Sequence, residues 1–168
     1  MEASFDSAWF RQVLGHVPTG VVVVTGIDSA RHPHGITIGS FVSVSLNPPL
    51  VGFFVGNASR SWTHIAQGNG FCVNVLTDEQ AELCWRFAKE PEGGMSAQFD
   101  GLDWTTSPHG FPVLAGALAM IDCTVESVTP AGDHHFVLGR VQHLAVSEST
   151  TDAMVFYQGR VTSVAKNP

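Results

Sequence analysis

The chain has 168 residues, of which 44% are hydrophobic and only 14% charged, and this excludes an intrinsically disordered protein. Its formal net charge is −7 with 8 Lys and Arg residues, which disfavours nucleic acid as a partner because basic surfaces bind phosphate backbones. The length favours a single domain over residues 1–168 with a substantial core.

No membrane segment is predicted, because no apolar run approaches the roughly 20 residues that span a bilayer. Residues 1–6 are acidic and lack the basic start and apolar centre of a signal peptide. The three cysteines, Cys72, Cys84 and Cys123, are widely spaced and form no C-x-x-C pair. We therefore expect buried, reduced thiols in a cytoplasmic protein, and no zinc site.

The chain begins with a predicted helix and strand. Apolar side chains at helical spacing predict a short helix over residues 8–14, capped by Ser7 or Asp6. A β-branched run predicts a buried strand over residues 21–25. The polar residues 28–33 predict a loop that returns the chain as a hairpin.

The stretch 35–50 is the centre of the prediction. It begins as a strand, runs along an edge and stops at Pro48-Pro49, because proline lacks the N–H that a ladder needs. Four of its apolar side chains are expected to fill the core: Phe41, Val42, Val44 and Leu46. A third strand is predicted over residues 50–55.

After the third strand, predicted helices and strands follow one another without a regular alternation. Helices are predicted over residues 60–68, capped by Ser59 and stopped by Gly68, and over residues 78–87. Residues 89–112 are rich in Gly, Pro, Ser and Asp and predict a long surface excursion. Further strands are predicted over residues 71–76, 114–130, 135–146 and 155–157.

These elements predict a mostly β fold, a six- to seven-stranded antiparallel barrel with short inserted helices. Strands do not alternate regularly with helices, which disfavours a Rossmann fold. No G-x-G-x-x-G or G-x-x-x-x-G-K-[ST] motif supports one either.

Hydroxyl side chains recur along the central stretch, at Thr37, Ser40, Ser43 and Ser45. By spacing alone, the favoured interpretation is a barrel rim whose hydroxyls bond to the local backbone. The alternative is a polar edge for a planar heterocycle and its ribityl tail.

Ser59-Arg60-Ser61 is the best candidate for binding a phosphate, because a helix start offers free N–H groups and Arg60 adds a fork of donors. Ordinary helix capping explains Ser59 equally well. His134 and His135 follow Asp133, but successive strand residues point to opposite faces, which disfavours a shared metal ion. His32 and His34 are interpreted as loop residues.

Three segments, residues 18–25, 35–50 and Gly132-Asp133-His134 with Gly139, resemble the short-chain flavin reductase family in sequence and order. Weaker similarities at residues 71–76, 86–88 and 156–160 extend this resemblance over residues 8–161. It implies the FMN-binding split barrel, a Greek-key antiparallel fold. It also implies a cytoplasmic homodimer that passes hydride from NADH or NADPH to FMN or FAD and supplies a partner monooxygenase with reduced flavin.

The resemblance also implies a set of site residues. His134 would approach the nicotinamide in a positioning role, and Phe99 would cover the flavin. The remaining implied cofactor-binding residues lie along two segments: Thr37, Ile38, Ser40, Ser43, Val44 and Ser45, then Asn57, Ser59, Arg60, Ser61 and Thr63. Gly39 stands where members of the family often carry Asn or Ala.

Two other functions stay open from the sequence. One is a split-barrel flavoprotein that keeps its flavin tightly bound and acts on another substrate. The other is a flavin- or haem-binding module without turnover. Hydride transfer from nicotinamide to flavin needs no protein nucleophile. Few residues of the protein are therefore expected to take part directly in the chemistry.

Overall fold

A computed structural model describes residues 5–90, 93–148 and 151–164. Its α-helices are α1 (Ser7–Leu14), α2 (Arg60–Ile65) and α3 (Ala81–Phe87), with 3-10 turns at Ala66–Gly68, Asp78–Gln80 and Met95–Phe99. Its strands are β1 (Thr19–Gly20), β2 (Val22–Ile27), β3 (Pro33–Ile38), β4 (Val42–Leu46), β5 (Pro49–Gly56), β6 (Gly70–Val75), β7 (Trp104–Thr106), β8 (Pro112–Leu114), β9 (Ala119–Ala131), β10 (His134–Val146), β11 (Ala153–Tyr157) and β12 (Arg160–Val164).

The main sheet has seven strands in the order β3-β2-β6-β9-β10-β5-β4. Every neighbouring pair in it is antiparallel. Strand β2 lies inside the sheet, and Val22, Val23 and Val24 are almost wholly buried, as expected for a β-branched run that packs on both faces. The predicted mostly β fold and the hairpin of β2 and β3 are confirmed.

The central stretch is two strands rather than one. β3 and β4 lie at opposite edges of the sheet, so the short link Gly39–Phe41 carries the chain from one edge to the other. Ser40 Oγ donates to the carbonyl of Phe54 over 3.2 Å and accepts from its N–H over 2.9 Å. This serine therefore joins the chain that leaves β3 to β5, the strand next to the opposite edge.

The prediction that β4 fills the core is wrong. Val42 and Val44 are 48% and 45% exposed, and Leu46 is 91% exposed; only Phe41 packs against the core. β4 pairs with β5 on one side and is an edge strand of the sheet, and its apolar side chains are left largely exposed.

The predicted N-terminal helix is confirmed as α1, and Asp6 is its cap: its carboxylate accepts from the N–H of Trp9 over 2.7 Å. Trp9, Phe10 and Leu14 on this helix are about half exposed, so α1 also presents apolar surface outward.

The other helices differ from prediction at their ends. The second helix gives way to a 3-10 turn after Ile65 and stops at Asn69, whose φ of 56° is left-handed, rather than at Gly68. The third begins at Ala81, after a 3-10 turn capped by Thr77 and Gln80. At the C-terminal end, β12 was missed; it pairs with β11, which also pairs with β1.

Residues 89–112 were predicted as a surface excursion, and this is only partly right. They include a 3-10 turn, β7 and the start of β8, and Met95, Gln98, Phe99 and Phe111 are buried. The Gln98 amide lies inside the protein, where it accepts from Gly35 N over 3.1 Å and donates to Gly35 O over 3.0 Å. The excursion therefore docks onto β3. Among the described residues, no helix is long and apolar enough to cross a membrane.

Candidate active site

Three cavities lie side by side along β3 and the two residues that follow it, Gly39 and Ser40, and we call them together the β3 groove. Their volumes are about 270, 660 and 180 Å³. The first two share Gly39 and Phe156, and the first and third share Ala88. The groove is defined by Phe10, Leu14, Ile36, Thr37, Gly39, Ser40, Ser59, Arg60, Ser61, Cys84, Trp85, Ala88, Lys89, Glu90 and Phe156.

The hydroxyls of Thr37, on β3, and of Ser40, just after it, both bond to the protein backbone. Thr37 Oγ1 donates to the carbonyl of Cys84 over 2.6 Å, which ties β3 to α3. The Ser40 hydroxyl bonds to Phe54, as described above. Ile38 points into the core and is only 5% exposed. For Thr37 and Ser40, the structure therefore shows backbone partners for the hydroxyls, although both residues line the groove.

Aromatic side chains form the wall opposite β3. Trp85 on α3 and Phe156 on β11 meet edge to face, with ring centroids 6.4 Å apart, and both line the 270 Å³ cavity. Such rings offer flat apolar surface on which a planar heterocycle can stack. The sequence did not indicate either residue as part of the site. For Phe156, the resemblance of residues 156–160 to the family could have done so.

Arg60 and Lys89 bring positive charge to the third cavity, at the start of α2. The Ser59 hydroxyl caps α2 by accepting from Trp62 N over 3.2 Å, and Thr63 Oγ1 donates to Ser59 O over 3.0 Å. Ser61 is buried and also lines this cavity. The arginine and lysine thus offer the charged donors, and the sequence reasoning did not single out Lys89.

Asn57 and His134 lie close together where β5 ends and β10 begins. His134 pairs in register with Gly56, and Asn57 N donates to Asp133 O over 3.0 Å. Nδ1 of His134 lies 2.7 Å from Asp133 Oδ1, and this hydrogen bond lowers the pKa of the Asp133 carboxyl. An ionised carboxylate only accepts, so Nδ1 carries the proton and Nε2 is left as the outward atom of a half-exposed ring.

Eight predicted site residues are not among those that line the groove. Ile38, Asn57, Thr63 and His134 are described above, and the other four are Ser43, Val44, Ser45 and Phe99. Ser43, Val44 and Ser45 are on β4, where Ser43 and Val44 are exposed. Phe99 is 6% exposed, and its ring meets those of Phe87 and Trp104 at centroid distances of 5.1 and 5.7 Å. Phe99 therefore packs in the core of the chain and has little surface left for a ligand.

His34 was interpreted as a loop residue, but it lies in β3 and is buried. Its Nε2 is 3.1 Å from Asp28 Oδ2, its Nδ1 is buried without a hydrogen-bond partner among the described residues, and its ring stacks on His64 of α2 at 4.4 Å. Burial lowers the pKa of His34; the nearby His64 and His32 lower it further, and Asp28 opposes them. In turn, hydrogen bonds from His32 and His34 outweigh the effect of burial and lower the pKa of Asp28.

Asp28, His34 and His64 offer ligand atoms within 4.8 Å of one another. The two imidazole planes differ by only 11°, however, so the stacked rings direct their nitrogen lone pairs along parallel planes. One ion cannot lie in both planes. We interpret the cluster as a packing and hydrogen-bonding unit between β3 and α2.

The three cysteines are free and buried, as predicted. Burial raises the pKa of Cys72 and of Cys123 to about 12. Their thiols are therefore protonated at neutral pH, and a protonated buried thiol is a poor nucleophile.

Comparisons with known proteins agree with this architecture. The flavin reductase like domain model matches residues 14–165. A flavin reductase of Pseudomonas putida is 46% identical over 95% of this chain and 91% of its own length. The reductase subunit HsaB of a flavin-dependent monooxygenase, from Rhodococcus jostii, is 43% identical over 96% and 80%. The solved NADH:FAD oxidoreductase SgcE6 of Streptomyces globisporus superposes with a TM-score of 0.87 and is 35% identical, covering 99% of this chain and 98% of that one.

The chain belongs to the flavin reductase like domain family. The resemblance, the split-barrel fold and the enzyme class predicted from the sequence are confirmed.

Proposed function

We propose that this protein is an NAD(P)H:flavin oxidoreductase that transfers hydride from NADH or NADPH to FMN or FAD and passes the reduced flavin to a partner monooxygenase. One observation carries the assignment to these residues: the β3 groove combines an aromatic wall with two cationic side chains at one end. A flavin nucleotide has the same division, a flat ring system joined by a polar chain to a phosphate.

The groove residues fit a flavin by their chemistry. Trp85 and Phe156 stack on or against the ring, and the backbone between Thr37 and Ser40 faces its polar edge. Arg60 and Lys89 attract the phosphate, and Arg60 suits it because a guanidinium offers several donors in one plane. When bound, the flavin accepts hydride at its ring, and the protein supplies stacking, orientation and charge.

The Thr37 and Ser40 hydroxyls act indirectly in this proposal. Their bonds to Cys84 and Phe54 fix the course of β3, and so they hold the wall of the groove in place. Close positioning of hydride donor and acceptor is a large part of the rate enhancement available to such an enzyme.

His134 orients the nicotinamide. Its bond to Asp133 fixes one ring nitrogen, and its backbone pairing with β5 fixes its Cα next to Asn57. The outward Nε2 is then available to an amide such as that of nicotinamide. No proton transfer is required of it.

A second copy of this chain covers the exposed apolar side chains. Val42, Val44 and Leu46 project from an edge strand, and α1 presents a further apolar face. Exposed edge strands and contiguous apolar patches are rarely left open in a monomer. In the homodimer, β4 with Ser43, Val44 and Ser45 reaches the flavin at the interface. Buried, unpaired thiols support a reducing compartment, the cytoplasm.

The test follows NADH and NADPH oxidation by absorbance, with and without added FMN or FAD. Turnover that requires free flavin is expected. Turnover without added flavin would show that the protein keeps a bound flavin and reduces something else. No turnover with any of the four nucleotide pairs, in a protein that binds flavin, would refute a reductase.

A further inference from the structure

Arg60 already has an anionic partner in the groove. Its Nη1 lies 2.9 Å from Oε2 of Glu90, and Glu90 itself lines the third cavity beside Lys89. The carboxylate therefore takes one of the guanidinium donors that would bind a phosphate. Both side chains are more than half exposed, at 62% for Arg60 and 54% for Glu90.

An ion pair this exposed is easily exchanged. Pairs between solvent-exposed charges change an equilibrium constant by no more than about fivefold, since water screens them and the side chains lose freedom on pairing. A phosphate that enters the cavity can thus displace Glu90 from Arg60. The displaced carboxylate stays close by and repels the incoming negative charge.

We propose that Glu90 sets flavin specificity and release by competing with the flavin phosphate for Arg60. The inference rests on the proposed function and goes beyond it. Glu90 weakens binding of phosphorylated flavins but leaves riboflavin unaffected, because riboflavin brings no charge to the cavity. Oxidised and reduced flavin carry the same phosphate, so both are held less tightly. A reductase that hands its product to another protein gains faster release in this way.

The effect depends on the charge of the ligand. A terminal phosphate such as that of FMN is close to a dianion at neutral pH, because its second pKa is about 6. The two phosphates of FAD form a pyrophosphate, and each carries one negative charge. Competition with Glu90 is therefore strongest for FMN, weaker for FAD and absent for riboflavin, and added salt reduces the differences.

The experiment measures dissociation constants of FMN, FAD and riboflavin, by quenching of flavin fluorescence, for the wild type and Glu90→Gln. The substitution keeps the shape of the side chain and removes its charge. We expect the Kd for FMN to fall about two- to fivefold, with a slower FMN dissociation rate and an unchanged Kd for riboflavin. Glu79→Gln, the same charge change outside the groove, is the matched control and leaves all three constants unchanged.

An unchanged FMN constant in Glu90→Gln overturns the proposal. Equal tightening of FMN and riboflavin also overturns it, because the phosphate would then not be the group that Glu90 opposes. These outcomes are separate from the test of the reductase. A protein that binds flavin but does not oxidise NAD(P)H refutes the proposed function, while its flavin constants still decide the role of Glu90.

Discussion

Gln98 is the most informative position at which to perturb the protein without touching a ligand. It is wholly buried, and its amide bonds to both the N–H and the carbonyl of Gly35 in the edge strand β3. The close packing of α3 against β3 also requires a glycine at position 35, because a Cβ there would lie 2.6 Å from the ring of Phe87. Gln98→Met keeps a side chain of similar length and removes both hydrogen bonds.

The expected loss of stability follows from the two Gly35 groups. Both become buried polar groups without a partner, and each such group costs about 1–3 kcal/mol. We expect Gln98→Met to lower the free energy of unfolding by about 2–6 kcal/mol, a large share of the about 5–15 kcal/mol typical of a folded domain.

Urea unfolding, followed by tryptophan fluorescence, measures this loss. Gln142→Met is the matched control, since Gln142 is exposed and bonds to Thr124 on the surface; its effect should stay within about 0.5 kcal/mol. A change below about 0.5 kcal/mol for Gln98→Met would refute the reasoning, because the Gly35 groups would then have found other partners.

Three further predictions concern the nicotinamide, pH and assembly. His134→Ala should raise the KM for NAD(P)H by up to about tenfold, the worth of one positioning hydrogen bond, with flavin affinity unchanged; stopped-flow flavin reduction with normal nicotinamide saturation would contradict this. Because the pKa of His34 is lowered from its usual 6.5, the unfolded chain binds more protons than the folded protein just below pH 6.5, so stability should fall as pH falls through that range. Urea midpoints measured from pH 8 to pH 5 should show this fall in the wild type and a smaller one in His34→Gln, and equal slopes would count against it. Leu46→Glu should shift the protein from dimer to monomer in analytical ultracentrifugation, because it places a charge on an apolar contact; a wild type that sediments as a monomer would remove the dimer from the proposal.

Local patterns were enough to predict the parts of the fold that depend on neighbouring residues. The β-branched run of β2, the hairpin into β3 and the α1 helix follow from periodicity and turn chemistry. The exposure of β4 could not be predicted, because apolar and polar residues alternate in the same way whether or not a core covers the apolar side chains. Val42, Val44 and Leu46 illustrate this ambiguity.

Contacts between residues distant in sequence were also beyond local reasoning. Gln98 and Gly35 are 63 positions apart, and nothing near Gln98 indicates that its amide would pair with β3. Phe99 is placed over the flavin by the resemblance to the family alone, and local patterns do not indicate that its ring packs in the core. The motif Ser59-Arg60-Ser61 predicts a phosphate site, and its residues line one cavity; it could not predict that Glu90 pairs with Arg60.

The hydroxyl of Ser40 cannot both hold the chain to β5 and bind a ligand, because the same oxygen atom would be needed for each. It gives its proton to one backbone group of Phe54 and receives a proton from the other. A flavin that formed a hydrogen bond with this hydroxyl would have to break its bonds to Phe54. A flavin that bonded to the neighbouring peptide groups would leave those bonds in place. If mutating Ser40 lowers the affinity for flavin, the first explanation is therefore the lost link between the chain after β3 and β5, and not the loss of a direct contact with the flavin.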